Sequence, residues 1–502
     1  MEESGNRFNL IDEPWIPVVD VGRVSLKQLF SDPQLRALGG NSIQKIALMK
    51  LLQAICQAAV TPENDTQWRE LGVDGLCYAA LNYLEKWRDR FWLYGERPFL
   101  QMPAVVRAEV KPFGTVLPEV STGNTTVLTQ SQREKPMSDA DKALLLVVQM
   151  SMALGGKKTD NGVVLTPGYP GKTNDKGKPA TGKSGSALAF MGLMHSFCVG
   201  DTLRETLWLN LFTANDIAAL TQYPSGLGRA PWEEMPEGED CPVARELKRN
   251  LMGRLVPLGR FCLLAEGGLH YSEGISHGNY KEGFYDPSVL INKKGKELKV
   301  KWTDPGRRPW RELTSQLAFL QSQESEWECE QLRIAIEKVR RTKITFGVWS
   351  GGLRVSSNAG EQYVSGSDDL VESLFHLDSS ELTQIWFSHF QGEMGALDQM
   401  AKRLFGCVSN WCREMKLEPK SIAPLATELF WQLCERQAQD LIDSCLDLDA
   451  RLQLRRQFTR WLYQAFDSFC PHDTARQLDA WAKSRPSVAD YLDMDVPEKE
   501  NV

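Results

Sequence analysis

Apolar residues recur at helical spacing through SIQKIALMKLLQAICQAAV (42–60), directly after Asn41, whose side chain suits a helix start. The pattern predicts a long helix there. CYAALNYLEKWRDRFWLYG (77–95) predicts a second, stopped by Gly95, and KALLLVVQMSMAL (142–154) a third, ending at Gly155-Gly156-Lys157-Lys158. Upstream, FNLIDEPWIPV (8–18) reads as extended because Pro14 and Pro17 break any helix. STGNTTVLTQSQREKP (121–136) has no supporting period and reads as a loop. A glycine- and lysine-rich stretch runs to Gly185. ALAFMGLMHSF (187–197) then reads as helical or buried, and DTLRETLWLNL (201–211) follows.

Residues 215–365 read as short strands and turns. From 367 the texture changes to long amphipathic segments near 367–395, 396–416, 421–447 and 449–470, with a further piece at 473–484. Short connections at Pro419 and Pro471 suit antiparallel helices. The expected fold class is α+β: a large mixed α/β N-terminal domain over 1–365, followed by a C-terminal four-helix bundle over 366–502.

Composition narrows the function. Two or three domains are expected of 502 residues, and 42% hydrophobic with 25% charged residues describes an ordinary globular protein. A net charge of −7 argues against a free-standing nucleic-acid binder, while allowing a subunit whose basic surfaces are local. The eleven cysteines form no C-x-x-C pair, and the opening MEESGNRF carries no basic-then-apolar leader. Reduced thiols in a cytoplasmic chain are the expectation, with no membrane partner, since no apolar run approaches the ~20 residues needed to span a bilayer.

GKPATGKS (177–184) has P-loop spacing. A working P-loop needs a buried strand leading in and a helix leading out. TPGYPGKTNDK precedes Gly177 instead, without an apolar run, and Pro179 removes one N–H donor. A mobile basic loop able to meet phosphate is the preferred reading. A P-loop enzyme using Lys183 and Ser184 is the alternative, and a scaffold without DNA contact a third. Histidines are scattered singly and carboxylates are unclustered, so neither a metal site nor a cofactor is expected.

Several stretches taken in order carry a resemblance: FNLIDEPWIPV, RPFLQ (97–101), DTLRETLWLNL, RAPWE (229–233), YDPSVLINKKGKE (285–297) and RRPWREL (307–313), closed by the helical bundle. Their order and the chain length resemble the large subunit of the type I-E CRISPR Cascade complex, the CasA family. The resemblance implies a non-catalytic subunit of a complex loaded with CRISPR RNA. Such subunits recognise a short protospacer-adjacent motif in double-stranded DNA, largely through the minor groove. They promote duplex opening and help recruit a helicase–nuclease. It also implies contacts with the small subunit and the backbone subunits.

The family's functional parts fall, by resemblance, on particular residues. Its glycine loop after a long helix corresponds to Gly155 and Gly156 with Lys157 and Lys158, or alternatively to Gly168 and Gly171. The plain alternative for Gly155 is a helix cap. The wedge hairpin follows a Gly-Gly-x-Arg stretch, matched by Gly351, Gly352 and Arg354, with Ser357, Asn358 and Ala359 near the tip. Relatives carry a glutamine there and this chain does not. The minor-groove lysine corresponds to Lys281, the only lysine between 268 and 285. The guide-RNA loop is centred on Val127, Leu128, Thr129 and Gln130. Lys293 and Lys294 match a lysine pair and, with Lys296, Lys299, Lys301, Arg307 and Arg308, form one basic set. Arg451 with Arg455, and Arg456 with Arg460, form another at i,i+4 spacing. For each charge alone, a solvated surface residue is the plain reading.

Overall fold

Asn41 begins helix α1 (Ser42–Ala59) with a reciprocal cap. Its side-chain oxygen accepts from the Gln44 N–H at 3.0 Å, and its own N–H donates to Gln44 Oε1 at 3.1 Å. The computed structural model describes residues 6–116, 136–152, 163–164, 192–278, 280–321, 326–340, 344–355 and 370–494. Within it, α1 is buried on nearly every side, including Lys50, Gln53 and Gln57. Both glutamines bond to chain at 210–212: Gln53 Nε2 donates to the Asn210 carbonyl at 2.9 Å, and Gln57 exchanges two bonds with the Phe212 backbone.

Helix α2 (Asp65–Lys86) starts earlier than its apolar pattern suggests and also ends earlier. The Asn64 side chain caps it by accepting from the Thr66 and Gln67 N–H groups, and Gly72 interrupts it with φ of 59°. The expected continuation to Gly95 does not form. Trp92–Tyr94 is a strand paired antiparallel with Arg7–Asn9. Gly95 is the turn beyond it, at φ 146°, where a Cβ would lie 2.2 Å from Asn6 Oδ1. Trp68 of α2 stacks on Trp208 with ring centroids 3.9 Å apart, and each indole N–H donates to the other residue's carbonyl. Helix α3 (Asp139–Met152) packs against α1.

By contact density the chain divides into two compact units: 1–309 with 326–374, and 310–325 with 375–502. A three-stranded sheet, in the order β3–β2–β1, consists of β1 (His195–Val199), β2 (Thr345–Leu353) and β3 (Leu370–Asp378), of which 370–374 belong to the first unit and 375–378 to the second. β2 pairs antiparallel with β1 from Gly347↔Val199 to Gly351↔His195. Helix α4 (Glu330–Val339) packs on β1, in a region whose sequence reads as strands and turns alone.

The C-terminal helical region contains α5 (Gln384–Met415), α6 (Pro419–Glu435), α7 (Leu448–Phe469) and α8 (Ala475–Ser484). α5 packs against the other three, and α6 against α7. The expected helix at 367–395 is corrected: Leu370–Asp378 is strand, and one unbroken helix then runs from Gln384 through the boundary placed at 395. LVESLFHLD buries Val371 and Leu377 while exposing Glu372, Leu374 and His376. That spacing serves either period, and pairing with β2 decides it.

Candidate nucleic-acid interface

The segment from Tyr280 to Trp302 carries six of the lysines singled out by sequence, and its placement starts in the interior. Tyr280, Tyr285, Val289, Ile291 and Val300 pack with Leu193, and Leu298 and Trp302 close over them. Ile291–Asn292 is the central strand of a small sheet flanked by Lys299–Val300 and Trp327–Glu328, both antiparallel. The turn between the first two strands presents Lys293, Lys294 and Lys296. Gly295 sits there at φ 127°, and Asn292 Oδ1 accepts from the Lys294 N–H at 2.8 Å.

A buried polar cluster fixes the start of the segment. Lys50 Nζ lies 2.5 Å from Asp286 Oδ2. Ser288 Oγ donates to Asp286 Oδ1 at 2.6 Å, and His195 Nδ1 lies 2.8 Å from Ser288 Oγ. Burial raises the Asp286 carboxyl, but Lys50, His195 and the Ser288 hydroxyl together outweigh it and bring it to about 2. Burial lowers Lys50 below an ordinary lysine, with Asp286 opposing, and lowers His195 to about 4.

The lysine pair is less available than its sequence implies. Lys293 Nζ lies 2.9 Å from Glu328 Oε2 and 3.0 Å from Glu330 Oε1. Burial lowers this ammonium, yet the two carboxylates outweigh it and hold its pKa above the ordinary lysine value. Glu330 also accepts from the Tyr285 hydroxyl at 2.9 Å and from Gln222 at 2.7 Å, so Lys293 closes a polar network. Lys294 pairs with Glu326 at 3.0 Å, both exposed, an arrangement worth little against solvent. Lys296 and Lys299 are exposed, and Lys301 lies over the Trp327 ring at 4.7 Å. Lys281 is exposed in the short 3-10 turn Tyr280–Glu282. Sequence reading missed the strip Glu326, Glu328 and Glu330, whose alternation in ESEWECE puts all three on one side of the extended chain.

Gly351 and Gly352 lie inside β2, well packed. A Cβ on Gly352 would lie 2.2 Å from Thr303 Oγ1 and 2.9 Å from the Leu193 carbonyl, and the Gly352 carbonyl accepts from Ser42 Oγ at 2.8 Å. Arg354 follows the strand, half-buried. The glycine-loop residues Gly155, Gly156, Lys157 and Lys158, the alternatives Gly168 and Gly171, the wedge-tip residues Ser357, Asn358 and Ala359, the guide-RNA-loop residues Val127, Leu128, Thr129 and Gln130, and the P-loop residues Lys183 and Ser184 lie outside the described residues.

The second basic set divides. Arg455 is fully buried: its Nε lies 3.0 Å from Glu393 Oε1, and it donates also to the Met494 carbonyl. Arg451 is buried too, at 5% exposure. Both sit on the stripe of α7 that carries Leu454, Phe458 and Leu462, so the expectation that they track DNA backbone is corrected to packing inside the helical unit. Arg456 and Arg460, one step around the helix, are exposed.

The family model for the CRISPR-associated protein Cse1 matches residues 9–468. The chain belongs to the Cse1 family. A curated relative, the CRISPR-associated protein CasA/Cse1 of Thermus thermophilus, is 31% identical over 238 residues, covering 44% of this chain. The match spans 43% of that relative's length. Thermobifida fusca Cse1 shares the fold, with a TM-score of 0.75, 20% identity and coverage of 95% of this chain and 96% of that one. A chain from a structure named a CRISPR RNA-guided surveillance complex aligns at a TM-score of 0.66 and 14% identity, over 95% and 98% of the two chains. Among the described residues of this Cse1-family chain, no group of three or more His, Cys, Asp or Glu is placed to hold a metal, and no helix is long and apolar enough to cross a membrane.

Proposed function

We propose that this Cse1-family chain is the non-catalytic large subunit of a CRISPR RNA-guided surveillance complex. In that role it recognises a protospacer-adjacent motif in duplex DNA from the minor groove, promotes duplex opening and helps recruit a helicase–nuclease. The observation that carries the reading is the family match across 9–468, with the fold shared by a chain of a surveillance complex over nearly its whole length.

Elementary physics supports it. When base pairing with a guide reads the sequence, the protein needs only a brief contact with a short motif. The minor groove is narrow and its hydrogen-bond pattern degenerate, so glycine backbone and a lone lysine can enter where bulk cannot. Gly155, Gly156, Lys157, Lys158 and Lys281 are assigned to that contact. Gly352 and Arg354 form the base of the wedge that ends at Ser357, Asn358 and Ala359. Val127, Leu128, Thr129 and Gln130 take the guide-RNA contact. Lys294 and Lys296, exposed on the 292–299 turn, meet DNA backbone, while Lys293 holds the turn through Glu328 and Glu330.

The test compares the reconstituted complex with and without this chain on motif-bearing duplex. Omission is expected to abolish motif-dependent binding, and affinity is expected to drop steeply from low to physiological salt. Binding unchanged by omission would refute the reading.

A further inference from the structure

In a β-strand the N–H and C=O of one residue point to the same side, and those of the next residue to the opposite side. Two contacts fix this parity for β3. The Val371 carbonyl faces β2, because a Cβ placed on Gly351 would lie 2.8 Å from that oxygen. His376 faces the other way: its N–H donates to Gln439 Oε1, and its C=O accepts from Gln439 Nε2, both at 2.9 Å. The even-numbered residues therefore point outward. β3 is the outer strand of its sheet, and the backbone groups of Leu370, Glu372 and Leu374 line the edge without a neighbouring strand among the described residues. At His376 one glutamine amide occupies the edge as a strand would.

Beside this edge lies a recess of about 360 Å³ lined chiefly by Val19, Leu38, Met49, Phe197, Trp349 and Leu374. Leu374 and Val19 are 42% and 43% exposed at its rim. At the mouth, Glu372 accepts from Lys45 Nζ at 2.8 Å and from Trp349 Nε1 at 2.9 Å, while Ser373 Oγ, which also lines the recess, is buried without a hydrogen-bond partner among the described residues.

We propose that this edge and recess receive an extended segment of a protein partner, which adds a strand beside β3 and places an apolar side chain in the recess. The occupant follows from what the edge offers. Outward N–H and C=O groups alternate at strand spacing, and only an extended backbone presents the matching acceptors and donors. A helix has its backbone groups bonded internally. A phosphate backbone brings acceptors and no donors to an edge whose N–H and C=O groups alternate. The partner segment therefore alternates, with apolar side chains on the recess side and no acidic residue beside Glu372. The inference goes beyond the DNA reading and stands independently of it.

Hydrogen exchange on the full chain tests it, alone, with an acetylated and amidated peptide alternating Thr and Leu as probe, and inside the reconstituted complex. Exchange at the Glu372 and Leu374 amides is expected to be fast in the chain alone and at least about tenfold slower with the peptide or in the complex. Leu374→Pro removes an outward N–H that the ladder to β2 does not use, and is expected to abolish the protection. Leu374→Ala keeps the N–H and is expected to retain part of it. Peptide N-methylated on its edge-facing residues is expected to bind the unaltered chain about tenfold more weakly, a readout that needs no folded variant. Three results would overturn the proposal: slow exchange already in the chain alone, which means the edge is paired internally; no slowing with either peptide or complex; or a photocrosslinker at position 374 that reacts with nucleic acid only.

Discussion

Lys50 and Asp286, 236 positions apart in sequence, meet at 2.5 Å with side chains 1% and 0% exposed. The pair joins α1 to the start of the segment that bears Lys293 and Lys294. Removing one partner strands a buried charge, so Asp286→Asn or Lys50→Met alone is expected to cost about 3–5 kcal/mol. The double change Lys50→Met with Asp286→Leu is expected to recover much of that loss. Urea unfolding midpoints of the three variants check it.

His195, His277 and Asp286 set a pH dependence. Burial lowers His195 from 6.5 to about 4, and burial with Arg254 nearby lowers His277 from 6.5 to about 3. Below pH 6.5 the unfolded chain binds protons that the folded chain refuses, so stability falls as pH drops from there through about 4. Asp286 acts lower: its folded value, about 2, lies below the ordinary 3.8, so its contribution is complete above that ordinary value and is lost as pH falls through about 2. Unfolding midpoints followed from neutral pH down to about pH 5 are expected to decline, and His195→Gln to flatten the decline.

Arg455 and Arg456 are neighbours in sequence with opposite fates. Arg455→Ala leaves Glu393 buried without its partner and is expected to destabilise the helical unit by about 3–5 kcal/mol. Arg456→Ala is expected to change stability by no more than about 0.5 kcal/mol. Thermal unfolding of the two variants separates the buried arginine from the exposed one.

Gly352 in β2 tests whether the Gly-Gly-Leu-Arg stretch is built for packing. Gly352→Ala drives a methyl into Thr303 and the Leu193 carbonyl, with an expected loss of about 1–3 kcal/mol. Thr303→Ala is expected to relieve the side-chain part of that clash, and a double-mutant cycle measures the coupling.

For the 292–299 turn, Lys294→Ala and Lys296→Ala are expected to weaken duplex binding by the assembled complex, each lowering the salt slope by about one. Lys293→Ala is expected to lower stability instead, because Glu328 and Glu330 lose their shared cation. Binding isotherms over a salt series, read beside melting curves, distinguish these roles.

What the sequence determined is local or cumulative. Asn41 and the apolar period after it specify α1, because a cap and one buried stripe need only near neighbours. The C-terminal helices are legible from their period in the same way, and the ordered motifs from Phe8 to Leu313 point to the Cse1 family before any coordinates. What only the tertiary structure decided depends on a distant partner. Residues 370–378 become strand because β2 lies beside them. Lys293 is committed to Glu328 and Glu330, and Arg455 to Glu393, because folding brings carboxylates from other elements within bonding distance. A charge in a sequence reads the same whether solvent or a buried carboxylate will neutralise it, and only the packed chain chooses between them.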